Sequence, residues 1–245
     1  MAQLKSSAAV TPIVALDVPD STSARALVTM LGDHCDFYKV GLELFVAEGP
    51  SVVEWLRSEG KRVFLDLKLH DIPQTVRSAA RSAAGHGASL VTVHASGGAE
   101  MIEAAVDGAR EGDRGPDSSC DVLGVTILTS LDSGSIASAW GRRTLDIETE
   151  VVRLAGLVRA AGGRGIVCSG HEASAVRSAF GDGLDLLIPG IRLPGGDAHD
   201  QRRVMTPSDA AAAGARWLIL GRAVTGAANP VEAMQVVHEA LRPTG

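Results

Sequence analysis

The segment Val63–Pro73 reads VFLDLKLHDIP. Period-two alternation sets Val63, Leu65, Leu67 and Leu69 on one face and Phe64, Asp66, Lys68 and His70 on the other. Seven further β-rich apolar runs flank it: Ile13–Val18, Phe37–Gly41, Leu90–His94, Val122–Leu128, Gly165–Cys168, Leu184–Pro189 and Trp217–Gly221. Alanine-rich stretches with helical periodicity lie between them, among them Ser21–Leu31, Ser51–Ser58, Thr75–Ala84 and Glu148–Ala161. Strands alternating with helices of this length predict βαβ units and a parallel sheet. Eight such units in 245 residues predict an α/β fold of the (β/α)8 TIM-barrel type, one domain over residues 1–245. A doubly wound sheet would carry a glycine-rich turn after its first strand, and the turn here, ALDVPDSTSA, has no GxGxxG.

Composition narrows the function classes. Lys+Arg number 23 against 29 Asp+Glu, a formal net charge of −6, and aromatics are only 3%. An acidic chain without aromatic platforms argues against a nucleic-acid binder. Cys35, Cys120 and Cys168 are odd in number and widely spaced, which fits neither a disulfide framework nor a zinc site. The N-terminal stretch MAQLKSSAAVTPIVALDV lacks the basic start and apolar block of a signal peptide, and no apolar run approaches the ~18 residues of a membrane span. The expectation is a cytoplasmic enzyme with no membrane partner.

In a barrel the leucine face of Val63–Leu69 packs against helices, so Asp66 and Lys68 are expected to point into the lumen near its C-terminal end. An isolated Asp-x-Lys pair is better read as an ordinary salt bridge on a half-exposed strand. Three neighbours favour a site: Lys39 ends the second strand, Asp17 the first, and Asp71 follows at once in the loop. The chain has four lysines (Lys5, Lys39, Lys61, Lys68), and two of them lie inside apolar strand segments. A lysine can give up a proton, which an arginine cannot, and buried ion pairs are weak devices for stability. His70 and His94 are candidate acids or bases, although a core or structural role fits each equally; neither joins a metal-like spacing, so no metal is expected.

The opposite rim carries phosphate chemistry. The seventh run continues Pro189-Gly190-Ile191-Arg192 and the eighth ends Gly221-Arg222. Loops after these two strands commonly bind phosphate in barrels; glycine allows close backbone approach and arginine adds a donor fork. Asn229-Pro230 reads as a helix N-cap with proline at the first helical position. Two connections are long: Thr129–Ile147, with Asp132-Ser133-Gly134 as a turn signal, and Gly190–Thr206, GIRLPGGDAHDQRRVMT. Long loops are functional or disordered, and for the second both readings stand.

The stretch Asp66-Leu-Lys68-Leu-His70-Asp71-Ile72-Pro73-Gln-Thr75-Val resembles the signature of the orotidine 5′-phosphate decarboxylase family in its bacterial form. ALDV, FYKVG, GVTILTS, CSGHEA, PGIRLPGGDAHDQRRVMTP and LILGRAVT extend the likeness along most of the chain. The resemblance implies a carboxy-lyase of UMP biosynthesis that converts orotidine 5′-monophosphate to UMP and CO2, a homodimeric barrel with sites at the interface, and neither metal nor cofactor. Carried over residue by residue, Lys39, Asp66, Lys68 and Asp71 match the charged tetrad, with Lys68 as proton donor and Asp71 lent to the neighbouring subunit. Asp17 and Thr75 match ribose contacts, with Thr75 again reaching across the interface, and Thr129 matches a pyrimidine contact. Arg192, Gln201, Gly221 and Arg222 match the phosphate side, and His70, Ile72 and Pro189 complete the substrate-binding set. A 3-keto-gulonate-phosphate decarboxylase shares DxKxxD but has an acidic residue in place of Lys39, where it binds magnesium; a ribulose-phosphate epimerase needs metal ligands absent from this pattern. A silent nucleotide sensor would not need Lys68.

Overall fold

The computed structural model describes residues 10–113, 115, 119–193 and 205–242. Its strands are β1 (Thr11–Leu16), β2 (Phe37–Gly41), β3 (Arg62–Leu69), β4 (Leu90–His94), β5 (Asp121–Val125), β6 (Gly165–Val167), β7 (Asp185–Ile188) and β8 (Trp217–Leu220). All pair in parallel with their sequence neighbours, and β8 closes on β1 through Thr11↔Trp217 to Val14↔Leu220. The predicted eight-stranded closed barrel is the observed fold. The helices are α1 (Ser21–Leu31), α2 (Leu42–Glu48), α3 (Ser51–Ser58), α4 (Pro73–Gly85), α5 (Ala99–Gly112) and α6 (Ser133–Ala139) in the first part of the chain. They continue with α7 (Ile147–Ala160), α8 (Ala173–Phe180), α9 (Pro207–Ala212), α10 (Arg222–Thr225) and α11 (Pro230–Ala240). None is long and apolar enough to cross a membrane among the described residues.

Strand alternation divides the core in two. One cluster fills the lumen: Ile13, Ala15, Phe37, Phe64, Leu90, Leu123, Leu187, Trp217 and Ile219, with Val167 packed against it. The other residues of the same strands, such as Val14, Tyr38, Val63, Leu65, Val91 and Val93, join the larger cluster under the helices. Leu67 and Leu69 pack against that outer cluster, as the alternation of β3 predicts. Among the described residues the lumen is packed by this cluster, with a cavity at its mouth.

Several boundaries differ from the sequence reading. β1 spans Thr11–Leu16, not Ile13–Val18, so Asp17 stands just beyond the ladder. β5 stops at Val125 rather than Leu128, and there the Thr126 hydroxyl donates to the Val167 carbonyl at 2.9 Å. The connection Thr129–Ile147 is not a bare loop. It holds α6, and Asp132, expected as part of a turn, caps that helix by accepting from Ser135 N at 2.8 Å. α2 follows β2 directly and had no apolar periodicity long enough to announce it. Asn229 caps α11 with Pro230 at its start, as expected.

The second long connection is tied at its base. Ile191 and Met205 form an isolated parallel bridge, with Arg192 N donating to Met205 O at 2.9 Å and Met205 N to Gly190 O at 3.3 Å. Residues 194–204, and with them Gln201, lie outside the described residues. On the other flank α4 is pressed onto α5: a Cβ built on Gly108 would stand 2.1 Å from the Arg77 carbonyl oxygen. That contact needs glycine, and it fixes the helix whose first turn follows Asp71 and includes Thr75.

Candidate active site

The lumen-facing row of each of the first four strands runs into a polar side chain near the mouth. Asp17 follows the Ile13–Ala15 row, Lys39 follows Phe37, Asp66 follows Phe64 and Thr92 follows Leu90. The register Gly41↔Asp66 and Lys39↔Phe64 brings the ends of β2 and β3 side by side. The four charges then form one chain. Lys39 Nζ lies 2.7 Å from Asp17 Oδ1 and 3.7 Å from Asp66 Oδ2, and Lys68 Nζ lies 2.8 Å from the same Asp66 oxygen. Side-chain exposure falls from 58% at Asp17 to 13% at Asp66 and 9% at Lys39, so the centre of the chain is largely withdrawn from water. Charges so placed persist only when paired. Glycine at 41 is part of the arrangement: a Cβ there would stand 2.8 Å from Lys39 Nζ and 3.0 Å from Asp17 Oδ1.

Lys68 reaches Asp66 from an irregular backbone. β3 and β4 pair at Leu65↔Val91 and next at Leu69↔Val93, so β3 inserts two extra residues opposite β4. Within this bulge Lys68 has φ 52°, the sole non-glycine residue with positive φ among the described residues. Such a conformation costs on the order of 1–2 kcal/mol for a side chain with a Cβ and survives only where surrounding contacts enforce it. Here the enforcing contact is the fully buried Thr92, whose Oγ1 accepts from Lys68 N at 2.9 Å and donates to Asp66 Oδ1 at 2.9 Å.

A cavity of about 190 Å³ opens onto this chain, lined by Asp17, Lys39, Asp66 and Lys68 on one side and by Thr129, Val167, Cys168, Leu187, Pro189 and Ile219 on the other. Burial pushes the Cys168 thiol up to about 12, so it is a neutral wall and not a nucleophile. Asp17, Pro189 and Ile219 also border a second recess of about 350 Å³, whose other walls include Gly190, Arg192, Gly221 and Arg222. The charged chain and the glycine–arginine rims therefore border two adjoining openings that share Asp17, Pro189 and Ile219.

Lys39, Asp66, Lys68, Asp17, Thr129 and Pro189 meet at the cavity, and Arg192, Gly221 and Arg222 meet at the recess. His70, Asp71, Ile72 and Thr75 do not line either one. The run 71–75 is exposed, and Ile72 shows 67% of its surface. Asp71 Oδ1 accepts from Ile72 N at 2.6 Å. His70 is exposed and stacks obliquely on His94, ring centroids 5.5 Å apart. Burial first, then His70 and Lys68, hold the His94 imidazole below its ordinary range, with Asp66 opposing. Among the described residues no group of three or more His, Cys, Asp or Glu side chains could hold a metal ion. Thr92 and Gly41 were not among the residues singled out from sequence. A threonine breaking the apolar run LVTVH on the lumen side was the available signal for the first.

A closed parallel barrel with its reactive side chains gathered at the C-terminal mouth has the layout of a (β/α)8-barrel enzyme. The model of the Orotidine 5'-phosphate decarboxylase / HUMPS family matches residues 11–237, and the chain belongs to that family. It is 48% identical over 227 residues, 93% of this chain and 96% of the relative, to the orotidine 5'-phosphate decarboxylase of Anaeromyxobacter sp. (strain K). To the protein of that name from Gloeothece citriformis it is 43% identical over 229 residues, 94% of this chain and 96% of the relative. The crystal structure of orotidine 5'-phosphate decarboxylase from Lactobacillus acidophilus superposes with a TM-score of 0.86 at 34% identity, covering 96% of this chain and 100% of that one.

Proposed function

We propose that this protein decarboxylates orotidine 5′-monophosphate to UMP and CO2, a step of pyrimidine biosynthesis, with neither metal nor cofactor and with Lys68 as the proton donor. The observation that carries the reading is the ion-pair chain Asp17–Lys39–Asp66–Lys68 at the cavity wall. In the reaction the C6–carboxylate bond breaks, CO2 leaves with no electrons from that bond, and the pair stays on C6. The Lys68 ammonium then gives its proton to C6, and solvent restores it. The ring offers no conventional sink for that pair, and cofactors normally supply one. Without one, fixed charge must do the stabilising, supplying on the order of 20 kcal/mol at the enzyme maximum. Lys68 is the charge beside the developing carbanion. Asp66 orients it, and Lys39 keeps Asp66 paired from the other side. A cation-binding rival is disfavoured because Lys39 would repel the metal.

The two openings divide the substrate. The pyrimidine ring occupies the cavity between Lys68 and the Thr129–Pro189 wall, the ribose hydroxyls meet Asp17, and the phosphate enters the recess between Arg192 and Gly221–Arg222. Because the phosphate is remote from C6, its binding energy serves to close the site and exclude water, so a substrate without phosphate loses turnover as well as affinity.

The active form in this reading is a homodimer. Asp71 and Thr75, with His70 and Ile72, stand outside the cavity of their own chain. Leu42 and Val46, one turn apart on α2, are 54% and 80% exposed, at the same end of the neighbouring strand as Ile72. Exposed apolar groups beside unused site residues support a second copy that receives Asp71 and Thr75. The test adds orotidine 5′-monophosphate with a chelator and follows the ultraviolet absorbance of the orotate ring. An unchanged spectrum with folded protein refutes the reading. Mixing Lys68→Ala with Asp71→Ala protein tests the dimer: activity should reappear, with roughly one site in four native at equal mixing, and continued silence refutes shared sites.

A further inference from the structure

We infer that Thr92 is a positioning residue for the decarboxylation, its hydroxyl holding the Lys68 backbone in the left-handed conformation and the Asp66 carboxylate in the orientation that aims Lys68 at the substrate. The inference rests on the activity proposed above and adds a residue to it. At the bulge of β3 the ladder to β4 is interrupted between Leu65↔Val91 and Leu69↔Val93, and Lys68 N donates to the Thr92 side chain instead. The hydroxyl has one proton, and the 2.9 Å contact to Asp66 Oδ1 assigns it there, because a carboxylate oxygen can only accept. Asp66 Oδ1 is thereby engaged, leaving Oδ2 to face both Lys39 and Lys68. One buried oxygen thus sets the backbone from which Lys68 extends and the group to which Lys68 is paired. Thr92 itself does not line the cavity, which separates positioning from substrate contact. Other hydroxyls near the mouth do not share this geometry: Thr126 turns to the Val167 carbonyl and Ser169 to His171 N.

The substitution Thr92→Val keeps the branched shape and removes the hydroxyl, leaving Lys68 N–H and Asp66 Oδ1 without it. Misplacing a catalytic group by about 1 Å can cost on the order of 10²-fold in rate, so kcat per folded site, counted by UMP binding, should fall about 10- to 100-fold while UMP affinity stays within about 3-fold. Thr92→Ser restores the oxygen and should recover most of the loss. Unaltered kcat in Thr92→Val, or a serine variant as impaired as the valine one, overturns the inference. A purely structural threonine would lower the melting temperature and spare kcat per site. Amide hydrogen exchange at Lys68 gives a readout independent of turnover: it should accelerate in Thr92→Val, and an unchanged rate again overturns the clamp. Should the valine variant fail to fold, Thr92→Ala makes the same deletion with no branched methyl to accommodate. Wild-type protein inactive on orotidine 5′-monophosphate would refute the proposed function, and exchange at Lys68 would still decide the clamp.

Discussion

On β2 the lumen side chain at position 37 is Phe, and two residues on it is Lys39; on β3, Phe64 gives way to Asp66; on β4, Leu90 gives way to Thr92. The same step on β5 leads from Leu123 to Val125, and on β7 from Leu187 to Pro189. One layer of the barrel is apolar all round, while the layer above it is charged over β1–β3 and apolar opposite. The lower layer gains stability from burial, at roughly 25 cal/mol per Å². The upper layer removes two lysines and an aspartate from most of their water, and an apolar set of similar volume would be as stable or more so. On the proposed function, the charged arc serves chemistry and not stability. Its position opposite an apolar wall creates a cavity in which charge is poorly screened and acts strongly on a bound ring.

The sharpest way to break that distinction is Lys68→Ala. Turnover should fall at least about 10³-fold, with melting temperature and UMP affinity nearly unchanged. Retained turnover in an absorbance assay would strip Lys68 of the donor role and return the arc to mere structure.

The two layers should separate next in stability. Phe64→Ala empties the fully packed lumen and should destabilise by about 3–5 kcal/mol in denaturant unfolding. The triple substitution Lys39→Met, Asp66→Leu and Lys68→Met removes all three buried charges of the arc at once, so it should cost less than Phe64→Ala, within about 1–2 kcal/mol of the parent, while abolishing activity. If the triple variant instead unfolds as readily as Phe64→Ala, the arc is a stability element and the contrast collapses.

How far this contrast was legible beforehand follows from what each residue type encodes. The alternation in VFLDLKLHDIP placed Asp66 on the lumen face because the period of a strand is fixed at two. Lys39 was legible because a lysine amid FYKVG has no benign position in a barrel interior. Thr92 was not, since threonine is common in strands and its meaning depends on which atoms of β3 lie across from it. The bulge at Lys68 left no trace, because no glycine marks it. The helix Ser133–Ala139 was hidden by its own cap: Asp132, Ser133 and Gly134 serve turns and helix starts alike. The exposed segment Asp71–Thr75 had no reading from periodicity; only the family resemblance implied that Asp71 and Thr75 serve a site other than that of their own chain.

The glycine–arginine side of the mouth makes its own prediction. Arg222→Ala should weaken phosphate-bearing ligands on the order of 10- to 100-fold, as expected for one charge-assisted pair, and leave uridine binding within about 2-fold by calorimetry. Equal losses for nucleotide and nucleoside would move the phosphate away from the Gly221–Arg222 recess and leave the β7–β8 side without a function distinct from packing.

The smallest expected effect lies beyond both layers, at the end of β4, where His94 follows Thr92 in the row begun by Leu90. Burial, His70 and Lys68 disfavour its protonated form in the folded protein, while Asp66 partly compensates. In the unfolded chain the same imidazole titrates near its ordinary value of 6.5. Between the lowered folded value and 6.5 the unfolded state binds more protons, so stability rises with pH through that window and falls as the solution is acidified below 6.5. His94→Asn removes the group and should flatten this part of the profile of melting temperature against pH, leaving the neutral plateau in place. A slope as steep in His94→Asn as in the parent would mean that His94 is not the group whose protonation the buried rim of β4 opposes.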